Sequence, residues 1–282
     1  MTGHPAIEPG RVAVITGGAS GIGLAAAIRF AKLGMKIAIA DIDAARLEAA
    51  RDEIFAVGAA HVLAIRADVA KKESVERLRD QVLAAYGDVS VLMNNAGVGG
   101  GGGPFENYAG WERVLGINLW GVINGVHAFA PAMIAQGLPG AIINTGSKQG
   151  ITTPPGDTAY NVSKAGVKVV TEGLQHVLRN TPGCAVSAHL LVPGWVHTGL
   201  TARDGGPKPE GAWWPDQVID VLLERMAKGD FYIICPDNDV SSALDNKRIT
   251  WAAADITENR PPLSRWHPDF KDPFAEFLKD DD

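Results

Sequence analysis

Cysteine is scarce in this 282-residue chain: there are two, Cys184 and Cys235, each beside an apolar, strand-like run. Two such residues give no disulfide framework, and both are expected to be buried, reduced thiols. The seven histidines form no HExxH motif and no Cys/His cluster, so a bound metal has no support. Positive charge is short as well. The formal net charge is −6 and no Lys/Arg-rich run occurs, which argues against a nucleic-acid partner. No window approaches the length of a membrane-spanning apolar run, and the opening MTGHPAIEPG lacks the apolar stretch of a secretion signal. The expectation is a cytoplasmic protein that neither crosses a membrane nor is exported, which makes the NVS sequon at Asn161 a chance match. No internal repeat of solenoid length is present.

What is present is an apolar fraction of 46% and 33 glycines, the composition of an α/β enzyme. Apolar, β-branched runs alternate with helix-like stretches. RVAVITG (11–17), KIAIAD (36–41), HVLAIRAD (61–68), VSVLMNNAG (89–97), GAIINTGS (140–147) and CAVSAHLLVPG (184–194) read as strands, and DFYIICP (230–236) as the last. A β-α-β-α rhythm of nearly continuous hydrophobic strands predicts a parallel sheet of about seven strands covered by helices on both faces. The fold class is therefore a three-layer α/β Rossmann fold. Composition changes beyond residue 199, where TGLTARDGGPKPEGAWWP is rich in breakers and NRPPLSRWHPDFKDP (259–273) is an irregular tail. The reading is one domain over 1–282 whose segment 195–282 adds a loop, the last strand and a C-terminal extension. That extension is expected to carry a helix over 240–255, with Asp239 as its N-cap.

TGGASGIG (16–23) joins the first strand to the first helix. Glycines in such a turn let backbone N–H groups approach a pyrophosphate at the helix N-terminus. Gly17, Ser20, Gly21, Ile22 and Gly23 are the candidate residues, although their spacing is not the common GxGxxG. Asp41 ends the second strand, where a carboxylate accepts hydrogen bonds from ribose hydroxyls and repels a 2′-phosphate. No basic residue occupies Ala19 or Ile42, so NAD is favoured over NADP. Asp41 as a plain helix cap stays open at this point. Further on, TAYNVSK sets Tyr160 four residues before Lys164, one helical turn apart and on one face.

Taken together, TGGASGIG, Asp68-Val69, NNAG (94–97), Asn118, Ser147, YNVSK (160–164) and PGWVHT (193–198) resemble the short-chain dehydrogenase/reductase family over roughly residues 10–200. The resemblance implies that Asp68 and Val69 flank the adenine and that Asn95, Ala96 and Gly97 line the cofactor cleft. Pro193, Gly194, Val196 and Thr198 would hold the nicotinamide. Ser147 would orient the substrate oxygen, and Lys164 would reach the nicotinamide ribose while Asn118 holds a water linking Lys164 to solvent. Tyr160 is then the general base. A free phenol titrates near 10, so the Lys164 cation and the nicotinamide charge are expected to bring it toward working pH.

The chain departs from the family pattern at Gly146, where a second serine is common. Lys148 reads as a solvated loop residue, whereas Gln149 is a candidate on the substrate side. Trp195 is expected to face substrate; Trp251 and Trp266 are expected to pack helix against tail or against another subunit. The implied activity is NAD-dependent, reversible oxidation of a secondary alcohol to a ketone, with a bulky apolar or aryl-bearing substrate. An NADPH-dependent ketone reductase and a non-catalytic NAD-sensing scaffold are the rivals. Apolar positions Val167, Val170, Leu174 and Val177, a second face through Val162, Ala165, Val169, Gly173 and His176, and Val122, Val126, Phe129 and Met133 suggest a homodimer or homotetramer.

Overall fold

The computed structural model describes residues 3–202 and 206–279. Strands β1 (Val12–Thr16), β2 (Lys36–Asp41), β3 (Val62–Arg66), β4 (Val91–Asn94), β5 (Gly140–Thr145), β6 (Val186–Val192) and β7 (Tyr232–Ile234) form one sheet in the order β3-β2-β1-β4-β5-β6-β7. Each adjacent pair runs parallel. The strand order reverses between β1 and β4, and in such sheets the crevice beyond the strand ends at that point is where ligands bind.

Alternation along each strand divides the core. Ile15, Ile37 and Ile39 pack with α1 (Gly21–Lys32), α2 (Ala44–Ala56) and α8 (Pro215–Ala227) through Phe30, Ile54 and Leu222. Val12, Val14, Leu92 and Ile142 face the other way, toward Leu78, Phe129 and Leu178. Those three residues come from α3 (Lys72–Tyr86), α5 (Gly121–Ala135) and α7 (Thr158–Arg179), the last preceded by the single turn α6 (Gln149–Thr152). The expected three layers are present. A buried polar chain crosses the second interface: Asn94 Nδ2 donates to Asn144 Oδ1 at 2.9 Å, and Asn144 Nδ2 to Thr171 Oγ1 at 3.0 Å. In a dry interior such bonds fix one register of helix on sheet.

Several local expectations need correction. α4 (Tyr108–Leu115), a π-helical turn over Gly116–Trp120 and α5 run together for 28 residues, long and apolar enough by length and composition to cross a membrane. Burial of Val122, Phe129 and Met133 against the sheet accounts for that apolarity, and also removes those three from any exposed interface. On α7 the core-facing residue near the end is Leu178, at 1% exposure, whereas Val177 is exposed. In the extension, α9 spans Ser242–Thr257 and its cap is Ser241, whose hydroxyl accepts from Leu244 N at 3.2 Å; Asp239 is not the cap. Cys184 is half-buried rather than buried, Cys235 is buried, and neither forms a disulfide. Arg203, Asp204 and Gly205, inside the expected breaker loop, lie outside the described residues.

Candidate active site

The turn after β1 is shaped by close approach. Gly17 has φ +63°, and a Cβ there would sit 2.7 Å from the Ala96 Cα. A Cβ on Gly23 would stand 2.2 Å from the Gly17 carbonyl oxygen, so Gly23 packs the turn from behind. Gly17, Ser20, Gly21 and Ile22 line a cleft of about 930 Å³. Ser20 makes no side-chain capping bond and the first turn of α1 carries no acid, so its N–H end is suited to an anion.

Asp41 and Ile42 line the same cleft. The Asp41 carboxylate accepts from Ala19 N at 3.3 Å and Asp43 N at 3.2 Å. The cap of α2 is Asp43, which accepts from Ala45 N and Arg46 N, so capping does not explain Asp41. Arg46 joins the cleft wall beside them and escaped the sequence reading; its only signal was its place in the first turn after the strand-ending acid. Asp68, Val69, Ala96 and Gly97 line the next stretch of wall. Asn95 also reaches it, but its side chain works inward. Its amide donates to the Thr16 and Gly17 carbonyls at 3.3 Å each and accepts from Thr145 Oγ1 at 3.3 Å, tying the ends of β1 and β5 to its own loop. Pro193, Gly194, Val196 and Thr198 close the far side.

Ser147, Tyr160 and Lys164 open into this cleft. Ser147 Oγ accepts from Gln149 N at 3.2 Å, and its hydroxyl is near enough to Tyr160 to pull the phenol's pKa down. Lys164 is buried, donates to the Thr145 carbonyl at 2.8 Å, and holds its Nζ 5.7 Å from the Tyr160 ring centroid. Asn118, in the π-helical turn, lies behind the wall. It accepts from Val98 N at 2.8 Å and donates to Val98 O and Ser163 Oγ.

The family model for short chain dehydrogenases matches residues 11–207. The chain belongs to that family. A 1-deoxy-11-beta-hydroxypentalenate dehydrogenase of Streptomyces exfoliatus is 33% identical over 91% of this chain and 94% of its own length. A short chain dehydrogenase/reductase from Burkholderia phymatum in complex with NAD superposes with a TM-score of 0.82 at 35% identity, covering 91% of this chain and 97% of that one. An alcohol dehydrogenase from Thermococcus sibiricus complexed with 5-hydroxy-NADP does so with a TM-score of 0.69 at 28% identity, covering 77% and 90%.

Within this short-chain dehydrogenase, burial dominates the titration of Tyr160 and Lys164. Tyr160 is raised above its ordinary value, because desolvation outweighs the lowering by the Ser147 hydroxyl, and the Asp157 charge adds to the rise. Desolvation also lowers Lys164 to about 8. The expected acidified phenol is therefore not a property of the protein without cofactor: Lys164 spends its charge on a carbonyl, and burial wins.

Asp157 is a second residue that sequence reading missed. As N-cap of α7 it accepts from Tyr160 N at 3.1 Å. The same carboxylate accepts from Gly100, Gly101 and Gly102 N–H at 2.7, 3.2 and 3.1 Å. It clamps the glycine run to the helix that carries Tyr160, and an Asp three residues before that tyrosine was the available signal. Lys148 is corrected outright: it is not a solvated loop residue but pairs with Asp245 at 2.6 Å and Asp237 at 3.4 Å. Gln149 is exposed and Trp195 is 44% exposed, and neither is in the cleft wall.

Proposed function

We propose that this chain oxidises a secondary alcohol to a ketone, reversibly, with NAD as the hydride acceptor. The observation that carries the reading is that Ser147, Tyr160 and Lys164 open into the same cleft as the glycine turn and Asp41. NAD supplies the hydride-accepting carbon; the chain supplies the rest. Asp41 and the N–H end of α1 bind ribose and pyrophosphate. Ser147 orients the alcohol oxygen, and Tyr160 takes its proton. Lys164 anchors the nicotinamide ribose and adds positive charge near the phenol.

The glycine run Gly99–Gly100 leaves one wall of the cleft without side chains, while Leu200 borders the other, which suits a bulky apolar or aryl-bearing alcohol. Trp195 and Trp214, both about half exposed, are the aromatic surfaces by which such a group would enter. One observation favours the NADPH-dependent ketone reductase as a second reading: Arg46 lines the cleft near Asp41, its guanidinium 3.3 Å from the Asp43 carboxylate, where a 2′-phosphate would compete for it. A panel of secondary alcohols with NAD and NADP in parallel, followed by cofactor absorbance, tests the reading. Reduction of NAD by bulky alcohols is the expected result. No reduced cofactor across the panel would leave a dinucleotide-sensing scaffold, and a strong NADP preference would leave the reductase.

The protein is further proposed to act in the cytoplasm as a homodimer or homotetramer. Val162, Val169 and Trp120 are 43%, 64% and 55% exposed on α7 and the π-helical turn, an apolar surface a partner copy would cover. A monomer of 29.7 kDa in light scattering would exclude that assembly.

A further inference from the structure

Lys148, Asp237 and Asp245 come from three separate segments and meet almost out of solvent, with side-chain exposures of 20%, 5% and 6%. Lys148 directly follows Ser147. Asp237 follows β7, and its carboxylate also accepts from Trp195 N at 3.0 Å and Asp239 N at 3.1 Å. Asp245 stands in the first turn of α9. The nicotinamide-side loop passes directly over the group: a Cβ on Gly194 would lie 2.4 Å from Asp237 Oδ2 and 3.0 Å from Lys148 Nζ. A side chain there would push the Asp237 carboxylate and the Lys148 ammonium out of this arrangement, and that glycine is itself part of the cleft wall. Beneath the network a small cavity of about 40 Å³ is lined by Lys148, Asp245, Arg248 and Arg265, so two further cations from the extension flank it.

A buried ion pair adds little net stability over well-packed apolar residues, but it fixes geometry, because each partner must stay where its counter-charge is. Here the geometry being fixed is the spacing between two walls of the site. We propose that Lys148 is a positioning residue. Its pairing with Asp237 and Asp245 holds the Ser147 turn against the Pro193–Trp195 loop and makes alcohol recognition depend on the C-terminal extension. The proposal rests on the alcohol dehydrogenase reading for its kinetic consequence, but not for its structural one.

Two kinds of measurement separate these. Lys148→Met should speed hydrogen exchange both in the Pro193–Trp195 loop and in α9, whatever the enzyme's substrate. Unchanged exchange in either segment overturns the coupling even if alcohol oxidation is confirmed, and absent turnover in the unmodified chain leaves this experiment standing. For an alcohol that the chain oxidises, Lys148→Met should raise KM about 10–100-fold, the scale of a small misplacement at a reacting centre, with a much smaller loss of cofactor affinity because the glycine turn and Asp41 are untouched. Lys148→Arg should recover most of that loss, since it restores the charge. Parallel losses in alcohol KM, cofactor affinity and melting temperature, or no recovery with arginine, would make the network merely structural. Asp245→Asn, on the other side of the pair, should reproduce the KM effect. Should the single variants not fold, Lys148→Met/Asp245→Leu removes one charge of each sign and is read in the same way. If that pair too fails to fold, the network is a folding element and the proposal falls.

Discussion

On the sheet, Ile15, Ile39 and Ile143 are buried among aliphatic neighbours. In the extension, Trp251 is buried by other means. Its ring lies 5.1 and 5.2 Å from Phe274 and Phe277, and the Arg260 guanidinium covers it at 4.1 Å. Its Nε1 donates to Ser264 Oγ at 2.7 Å, and Arg260 pairs with Asp255 at 3.1 Å. A parallel sheet satisfies its backbone through its own ladder, so shape-tolerant aliphatics suffice to cover it. The 16-residue α9 and the 3₁₀ turns and helix α10 (Lys271–Phe277) that follow it satisfy their backbones within themselves and share no ladder with the sheet. They need large rings with a polar handle and paired charges to reach one arrangement. The first region makes a cleft out of backbone; the second reaches that cleft only through side chains.

Tyr160 sits between the two regions and gives the largest expected effect. Tyr160→Phe deletes the proton acceptor while leaving β1–β4 and their glycine turn untouched. Turnover should fall about 10²–10⁴-fold, the usual range for lost general base catalysis, with cofactor binding retained. Wild-type kcat in this variant would remove Tyr160 from the chemistry.

Trp251→Ala asks whether the extension is a separate unit. The cavity should cost about 3–5 kcal/mol, taken from the extension rather than from the sheet. Limited proteolysis should then open the segment 258–279 while cofactor affinity stays unchanged. A single global loss of stability with no local cleavage would mean that sheet and extension unfold as one.

The same contrast explains what was legible. All seven strands and their order in the sequence were readable because continuous apolar runs bounded by turn residues report a doubly covered strand directly. The glycine turn was readable because the close approach of Gly17 to Ala96 and of Gly23 to Gly17 restricts the residue type, whereas Asp68, Val69 and the 193–198 stretch were legible only through the family resemblance. Lys148 was misread because its partners lie 89 and 97 positions away, beyond any local pattern. The cap of α9 slipped from Asp239 to Ser241 because both residues are good caps, and only the path of the chain after β7 decides between them. The π-helical bulge that carries Asn118 toward Val98 has no signature in the apolar pattern.

Lys164 tests how far the cleft itself is strained for function. The unfolded chain holds this lysine near 10.5, and burial lowers it to about 8. Between those values the unfolded state binds more protons, so stability rises with pH across the window, and below about pH 8 the whole burial cost is present. Lys164→Met removes that cost but also loses the bond to Thr145 O. The cofactor-free variant should be about 2 kcal/mol more stable at neutral pH and inactive, with the gain shrinking toward pH 10.5. Urea unfolding at both ends of the window checks this; a gain independent of pH would assign it to packing instead.

Asp41 gives the smallest effect and the sharpest test of the backbone-built half. Its carboxylate is committed to two N–H groups, Ala19 and Asp43, so Asp41→Ala loosens the turn slightly as well as removing the ribose acceptor. Since the group is partly exposed, the low end of the range for a charged hydrogen bond applies, about 1.5 kcal/mol or roughly tenfold in NAD affinity. Removing the negative charge also leaves Arg46 as the nearest charged group on that wall able to meet a 2′-phosphate. NADP binding should therefore improve while NAD binding weakens, and α2 should stay intact because Asp43 carries its cap. Equilibrium titration with both cofactors, alongside the helical circular dichroism signal, reads all three. Equal weakening for NAD and NADP would mean that Asp41 serves only to hold the Ala19 turn.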